Sequence, residues 1–182
     1  MNPSTDDILR AVEATPAETV FVLPNNKNII MAAEQTIPLA TRKVLVLHTR
    51  TIPQGITAML TFDPDSDDEN NAIEMQKAAS GIATGQITFA ARDSEYDGFK
   101  IKQGELLALN NGKVSFVDTD LERTVLKLLK QMVKRESQFM TVIYGEDVSE
   151  EQAAAIEAAI EEKYGSRIEL TMINGGQPVY YF

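Results

Sequence analysis

Short, continuously apolar runs alternate with amphipathic stretches in the first third of the chain. Residues 19–23 and 43–47 are such runs, which are typical of buried strands, and the stretch between them has the apolar spacing of a helix. A polar turn at 25–28 opens that helix, and Asn26 or Asn28 is placed to cap it. Strand, helix and strand within about 30 residues predict a βαβ unit with parallel strands and a right-handed crossover.

The same pattern returns near the end of the chain. Apolar strands are predicted over 139–144 and 168–173. The Ala-rich helix between them is predicted to begin at a capping box formed by Ser149 and Gln152. A final strand is predicted over 179–182. These residues therefore predict a second βαβ unit.

The middle of the chain changes from a helical period to a strand period. Residues 86–92 alternate between apolar and polar, and segments 106–109 and 113–117 flank Asn110-Asn111-Gly112. An Asn-Gly pair between two such segments is the strongest short signal for a β-hairpin. The pattern predicts an antiparallel insert at about 86–118.

The remaining segments predict helices joined by a linker. Thr5 is placed to cap a first helix, Pro53 fits the first turn of a short helix, and Thr119 with Glu122 forms a capping box. Residues 63–71 are acidic and are predicted to be a linker.

Two βαβ units, one near each end, bracket the antiparallel insert. We therefore predict an α/β fold with a mixed, mostly parallel sheet. Because no low-complexity segment or flexible linker separates the units, residues 1–182 are predicted to form a single compact domain. An arrangement of two lobes with the antiparallel insert is the alternative.

Charge and composition narrow the classes of function. The chain has 17 Lys and Arg against 27 Asp and Glu, a net charge of −10, which disfavours binding to nucleic acid or to anionic membrane surfaces. It has no Cys, which excludes disulfides and thiolate sites. No apolar run approaches the ~18 residues of a membrane span, and the N-terminus lacks a secretion signal. We expect a cytoplasmic protein without membrane insertion.

Two polar positions follow the first pair of predicted strands. His48, the only His, comes after the run 43–47, at the edge where open α/β sheets bind ligands. Its imidazole could act as a base or as a covalent anchor, but no partner that would orient it is adjacent in sequence. A locally hydrogen-bonded histidine is the alternative. The turn 25–28 could hold an anion at a helix N-terminus, with plain capping as the alternative.

The acidic run resembles a calcium loop only in part. Asp63, Asp65, Asp67 and Glu74 fall at positions 1, 3, 5 and 12 of the template, but Asp68 stands where the template needs Gly. We interpret the run as a solvated linker that also caps a helix, and we expect no metal on this chain.

Five strings resemble the C-terminal region of the fatty acid kinase family, formerly described as dihydroxyacetone-kinase-like. They are Asn2-Pro3-Ser4-Thr5-Asp6-Asp7-Ile8, Leu23-Pro24-Asn25-Asn26-Lys27-Asn28-Ile29-Ile30-Met31-Ala32-Ala33, Thr51-Ile52-Pro53-Gln54-Gly55, Tyr144-Gly145-Glu146-Asp147-Val148 and Asn174-Gly175-Gly176-Gln177-Pro178-Val179-Tyr180. The resemblance covers essentially the whole chain. It implies a fold akin to that of DegV proteins and of the substrate domain of dihydroxyacetone kinase. It also implies that this chain is the last domain of a longer bacterial kinase.

In that family a separate N-terminal domain binds ATP and magnesium, so no cofactor is expected on this chain. The resemblance further implies that the C-terminal domain engages a fatty-acid-carrying protein of the DegV type, whose acyl carboxylate is phosphorylated for lipid metabolism. No catalytic residue of the family maps onto this segment.

The favoured hypothesis is a non-catalytic docking domain that positions the carrier protein. The residues expected to contact this partner lie in the loops after the first two strands: Arg50, Ile52, Gln54, Asn25, Asn26 and Asn28. The rival hypothesis is a substrate-binding enzyme domain that uses His48, because dihydroxyacetone kinases hold their ketone on a histidine. A third alternative is a homo-oligomerising structural domain.

Overall fold

The computed structural model describes residues 2–96 and 98–182, apart from the side chain of Phe99. The chain divides into two compact units, Met1–Ile82 and Ala83–Phe182. Whether they act as the single domain that the sequence predicts stays a prediction.

The first unit consists, in its described residues, of helices and two parallel strands. Its elements in chain order are α1 (Thr5–Ala14), β1 (Thr19–Val22), α2 (Lys27–Glu34), β2 (Lys43–Val46), α3 (Ile52–Thr61) and α4 (Asp68–Ser80). Strands β1 and β2 pair in parallel, from Thr19 opposite Lys43 to Val22 opposite Val46. The first predicted βαβ unit is therefore confirmed.

The two-stranded sheet of this unit is covered on both faces. Val20 and Val22 pack with Ile8 of α1 and Ile29 of α2 on one face. Phe21 and Leu23 pack with α3 and α4 on the other face, in a cluster that includes Leu47, Ala58, Met75 and Ala79. Successive side chains of a strand point to opposite faces, so a sheet covered twice requires the continuous apolar runs seen in the sequence.

The starts of two helices in the first unit differ from the prediction. Ser4, not Thr5, caps α1, because the Ser4 hydroxyl accepts from the Asp7 N–H while the Asp7 carboxylate accepts from the Ser4 N–H. The Thr5 hydroxyl instead donates to Gln35 Oε1 at 2.9 Å. The acidic linker is shorter than 63–71, because Asp67 caps α4 and the helix begins at the next residue.

The second unit contains the antiparallel insert and the second βαβ unit. Its elements are β3 (Gly85–Phe89), β4 (Ser94–Tyr96), β5 (Phe99–Ile101), β6 (Leu106–Asn110), β7 (Lys113–Asp118), α5 (Leu121–Met132), β8 (Phe139–Tyr144), α6 (Glu150–Tyr164) and β9 (Glu169–Asn174). Strands β3, β6 and β7 form an antiparallel sheet, β4 and β5 form a hairpin, and β8 pairs with β9 in parallel. The mixed α/β class is confirmed, but the described strands form four small sheets where one mostly parallel sheet was predicted, and three of their five strand pairs are antiparallel.

Of four local predictions for the second unit, two are confirmed and two are wrong. Asn111 and Gly112 have φ of 50° and 78° and form the predicted hairpin turn, and the Ser149 capping box is present. Asp120, not Thr119, caps α5. The final strand over 179–182 is reduced to an isolated bridge at Tyr180.

An apolar cluster of described residues forms the core of the second unit. It combines side chains from the antiparallel sheet, from α5 and α6, and from β8, including Ile87, Ala108, Phe116, Leu128, Val142 and Ile160. The C-terminal residues are tied to β3, since the Tyr181 N–H donates to the Ile87 carbonyl at 2.8 Å. Among the described residues, no helix has both the length and the apolar character needed to span a bilayer.

Candidate functional site

Two loops meet where β1 and β2 end. The strands are parallel, so their carboxyl ends lie at the same edge of the sheet, which is where open α/β sheets place their binding loops. Thr49 is completely buried, and its hydroxyl donates to the Pro24 carbonyl at 2.7 Å. This hydrogen bond joins the segment after β1 to the segment after β2. We call the six predicted contact residues, Asn25, Asn26, Asn28, Arg50, Ile52 and Gln54, the loop edge. The sequence placed all six in loops, but Asn28 lies in α2, and Ile52 and Gln54 lie in α3.

Two residues of the loop edge use their side chains to hold the backbone. Gln54 Oε1 accepts from the Arg50 N–H at 2.8 Å, and the Gln54 N–H in turn donates to the Thr51 hydroxyl at 3.4 Å. Asn26 Oδ1 accepts from the Asn28 N–H at 3.0 Å and caps α2. These hydrogen bonds hold the backbone of both segments.

The other residues of the loop edge face solvent. Asn25, Asn28 and Arg50 are exposed, and the Ile52 side chain is 52% exposed although it begins a helix. Within the described part of the chain, Arg50 forms no ion pair. Arg is among the residue types that contribute most to the binding energy of protein interfaces.

His48 also lies at this edge and has a partner that the sequence did not indicate. Its Nε2 lies 2.8 Å from Oε1 of Glu34, the last residue of α2, and its backbone N–H donates to Gln76 Oε1 at 2.7 Å. The His48 side chain is 57% exposed and that of Glu34 is 44% exposed. An exposed pair of this kind contributes little to stability, and the site lacks the exclusion of water that favours chemistry on the imidazole.

The carboxylates of the acidic run satisfy backbone groups. Asp63 Oδ1 accepts from the Asp65 N–H at 3.0 Å, and Asp67 Oδ1 accepts from the Asn70 N–H at 2.8 Å. In residues 2–96 and 98–182 there is no group of three or more His, Asp or Glu that could hold a metal ion.

A row of large apolar side chains next to the loop edge was not predicted as functional. Ile52, Ile56, Met59 and Leu60 of α3 are 52%, 45%, 65% and 83% exposed. Met59 and Leu60 lie about two turns after Ile52, and Ile56 lies about one turn after it. Because a helix has 3.6 residues per turn, the four side chains share one face. The buried face carries small residues, with Ala58 completely buried. We call these four side chains the α3 stripe.

All 182 residues match the family of FakA-like fatty acid kinase C-terminal domains. The chain belongs to this family. It is 41% identical over its whole length to Protein YloV of Bacillus subtilis, and 37% identical to an uncharacterised protein of Staphylococcus haemolyticus. In each case the chain covers 33% of the relative. The family resemblance inferred from the five strings is thereby confirmed.

Solved structures confirm the predicted fold. A DegV family protein from Ruminococcus gnavus, determined with vaccenic acid, has a TM-score of 0.64 at 9% identity over 99% of this chain and 74% of that protein. The DegV family protein Cg2579 from Corynebacterium glutamicum has a TM-score of 0.67 at 12% identity over 95% of this chain and 75% of that protein. The chain therefore has a DegV-like fold.

Proposed function

We propose that this chain is the non-catalytic docking domain of a fatty acid kinase-type protein. It binds a DegV-type protein that carries a fatty acid, and it holds the acyl carboxylate where a separate domain can phosphorylate it. Two comparisons support the proposal: the family is that of a fatty acid kinase component, and a protein of the same fold was solved with a fatty acid.

The observation that carries the proposal is the construction of the loop edge. Its backbone is fixed by the Thr49, Gln54 and Asn26 hydrogen bonds, while Arg50 and Ile52 remain exposed. A surface that is ordered in advance loses little conformational entropy on binding, so more of the contact energy appears as affinity.

The chemistry in this proposal belongs to other domains. ATP and magnesium bind to a separate part of the parent kinase, and the reaction takes place in the cytoplasm. The contribution of this chain is to hold two reactants in position, which can lower a phosphoryl-transfer barrier although no group on the chain reacts.

Calorimetric titration tests the proposal directly. The chain is titrated with a fatty-acid-loaded DegV-type protein from the same organism, and saturable one-to-one binding is expected. Arg50→Glu should weaken this binding about tenfold or more, since an interfacial charge of the wrong sign costs more than 1.4 kcal/mol. Lys77→Glu makes the same change of charge on an exposed part of α4 and serves as the control. Absence of binding by the folded chain would refute independent docking.

The substrate-binding alternative rests on the contact between His48 and Glu34. A carboxylate can orient an imidazole for acid–base chemistry, and this pair lies at the ligand-binding edge of the sheet. His48→Ala in the full-length kinase separates the two functions. Under the docking proposal both turnover and partner affinity are retained, whereas lost turnover with intact partner binding would favour the alternative.

A further inference from the structure

The α3 stripe leaves four large apolar side chains exposed along one face of a helix. Its four side chains are 45–83% exposed, and residues 51–62 contain no charged side chain at all. The opposite face of α3 packs through Ala58 into the cluster with Leu47 and Met75. A helix that is apolar on both faces is normally covered on both, and an exposed apolar row marks an interaction site.

The charges around α3 argue against a membrane as the cover. Beyond the C-terminal end of the helix the chain carries Asp63 and Asp65, both exposed, and the next acidic residues follow at 67–69. An amphipathic helix that binds lipid has basic residues beside its apolar face, because they are attracted to anionic headgroups. Here the adjoining charge has the opposite sign.

The charges at the two ends of α3 are opposite to each other. Arg50 lies just before the helix and is the only basic residue in 50–69, whereas Asp63 and Asp65 lie just after it. The helix of ten residues is about 15 Å long, with the apolar stripe between the charged ends. Such a surface is complementary to itself when it is turned end for end.

We propose that the α3 stripe is a self-association surface, on which α3 of a second copy of this chain packs antiparallel across a two-fold axis. The stripe of each copy then covers the stripe of the other, and Arg50 of each copy approaches Asp63 and Asp65 of its partner. A two-fold interface uses the same patch on both copies, so a patch with one basic and one acidic end satisfies it without any further partner.

Ile56 lies nearest the axis of this pairing. It is four residues from Ile52 and four from Leu60, the first and last members of the stripe.

Because a standard interface uses about 20–30 residues a side, pairing through one short helix produces a transient dimer rather than an obligate one. The inference does not rest on the proposed function. Ile52 belongs to both surfaces, so a docked partner and a second copy compete for it.

A single introduced cysteine tests the geometry, because the chain has no Cys of its own. Ile56→Cys places one thiol at the proposed axis, where the thiols of two paired copies face each other. Ile73→Cys on α4 is the matched control, since Ile73 is 61% exposed against 45% for Ile56 and lies outside the stripe. Under mild oxidation Ile56→Cys is expected to form a disulfide dimer at least about tenfold faster than Ile73→Cys. Random collision would instead favour Ile73→Cys, because Ile73 is the more exposed residue.

Sedimentation velocity of the unmodified chain tests the energetics. We expect a reversible monomer–dimer equilibrium, weakened at least about tenfold by Ile56→Glu, which places like charges at the axis. Arg50→Glu should also weaken it, and Arg50→Glu combined with Asp65→Lys should restore part of the loss. A monomer at every concentration would overturn the inference, as would equal cross-linking at the two cysteines. Binding of the monomer to neutral phosphatidylcholine vesicles would overturn it in favour of a lipid surface.

Discussion

We expect the hydrogen bond from the Thr49 hydroxyl to the Pro24 carbonyl, which joins the two segments of the loop edge, to stabilise the fold. Thr49→Val replaces the hydroxyl by a methyl group of similar size and leaves a carbonyl in a buried residue without its donor. Leaving a buried acceptor unsatisfied costs about 1–3 kcal/mol. With a urea slope of about 2 kcal/mol/M, a loss of about 2 kcal/mol lowers the unfolding midpoint by about 1 M.

The assay is urea unfolding followed by far-UV circular dichroism, since the chain has no Trp to report by fluorescence. Thr57→Val is the matched control: Thr57 is a half-buried threonine of α3 whose hydroxyl donates no hydrogen bond among the described residues. Thr49→Val should also weaken partner docking, although Thr49 is buried and cannot touch a partner. Both variants within about 0.5 kcal/mol of the unmodified chain would refute the structural role of Thr49.

Three further predictions test other parts of the structure. The guanidinium of Arg123 holds the pKa of Asp118 well below its usual range, so the charged carboxylate stabilises the fold above about pH 4 and this contribution is lost as the pH falls. The urea midpoint of Asp118→Asn should therefore lie below that of the unmodified chain at pH 7, and the difference between the two midpoints should become smaller towards pH 3. Val179 has φ of 74°, which is strained for a β-branched residue, so Val179→Gly should raise stability by about 1 kcal/mol, whereas Thr171→Gly in β9 should lower it. Gly55→Ala should stabilise α3 by about 0.5–1 kcal/mol in thermal unfolding, because the added methyl lies 3.9 Å from its nearest neighbour.

Signals completed within a few residues could be predicted from the sequence. The Ser149 capping box and the Asn111-Gly112 turn need only neighbours three residues away or fewer, and both are present. The cap of α1 was misplaced by one residue because two hydroxyls compete there, and the Thr5 hydroxyl is used by Gln35, 30 residues further along. The strand predicted over 179–182 failed for a conformational reason, since the positive φ of Val179 interrupts the extended backbone.

The connections within the candidate site could not be predicted in this way. Thr49 meets Pro24 across 25 residues, and His48 meets Glu34 across 14. Both contacts exist only because β1 and β2 pair in parallel with α2 packed against them. The sequence predicted that the two loops share an edge, but which side chains join them depends on the register of the strands.

The exposure of the α3 stripe follows from how closely α3 approaches the sheet. Periodicity alone leaves two apolar faces on this helix, one with Gly55 and Ala58 and one with Ile52 and Ile56. A methyl group at Gly55 would already lie in van der Waals contact with Leu23 Cβ, so the inner face admits only small residues at this distance. Large apolar residues must therefore lie on the outer face, where this fold leaves them uncovered. On such a helix, the small residues mark the core and the large ones mark the surface left for another molecule.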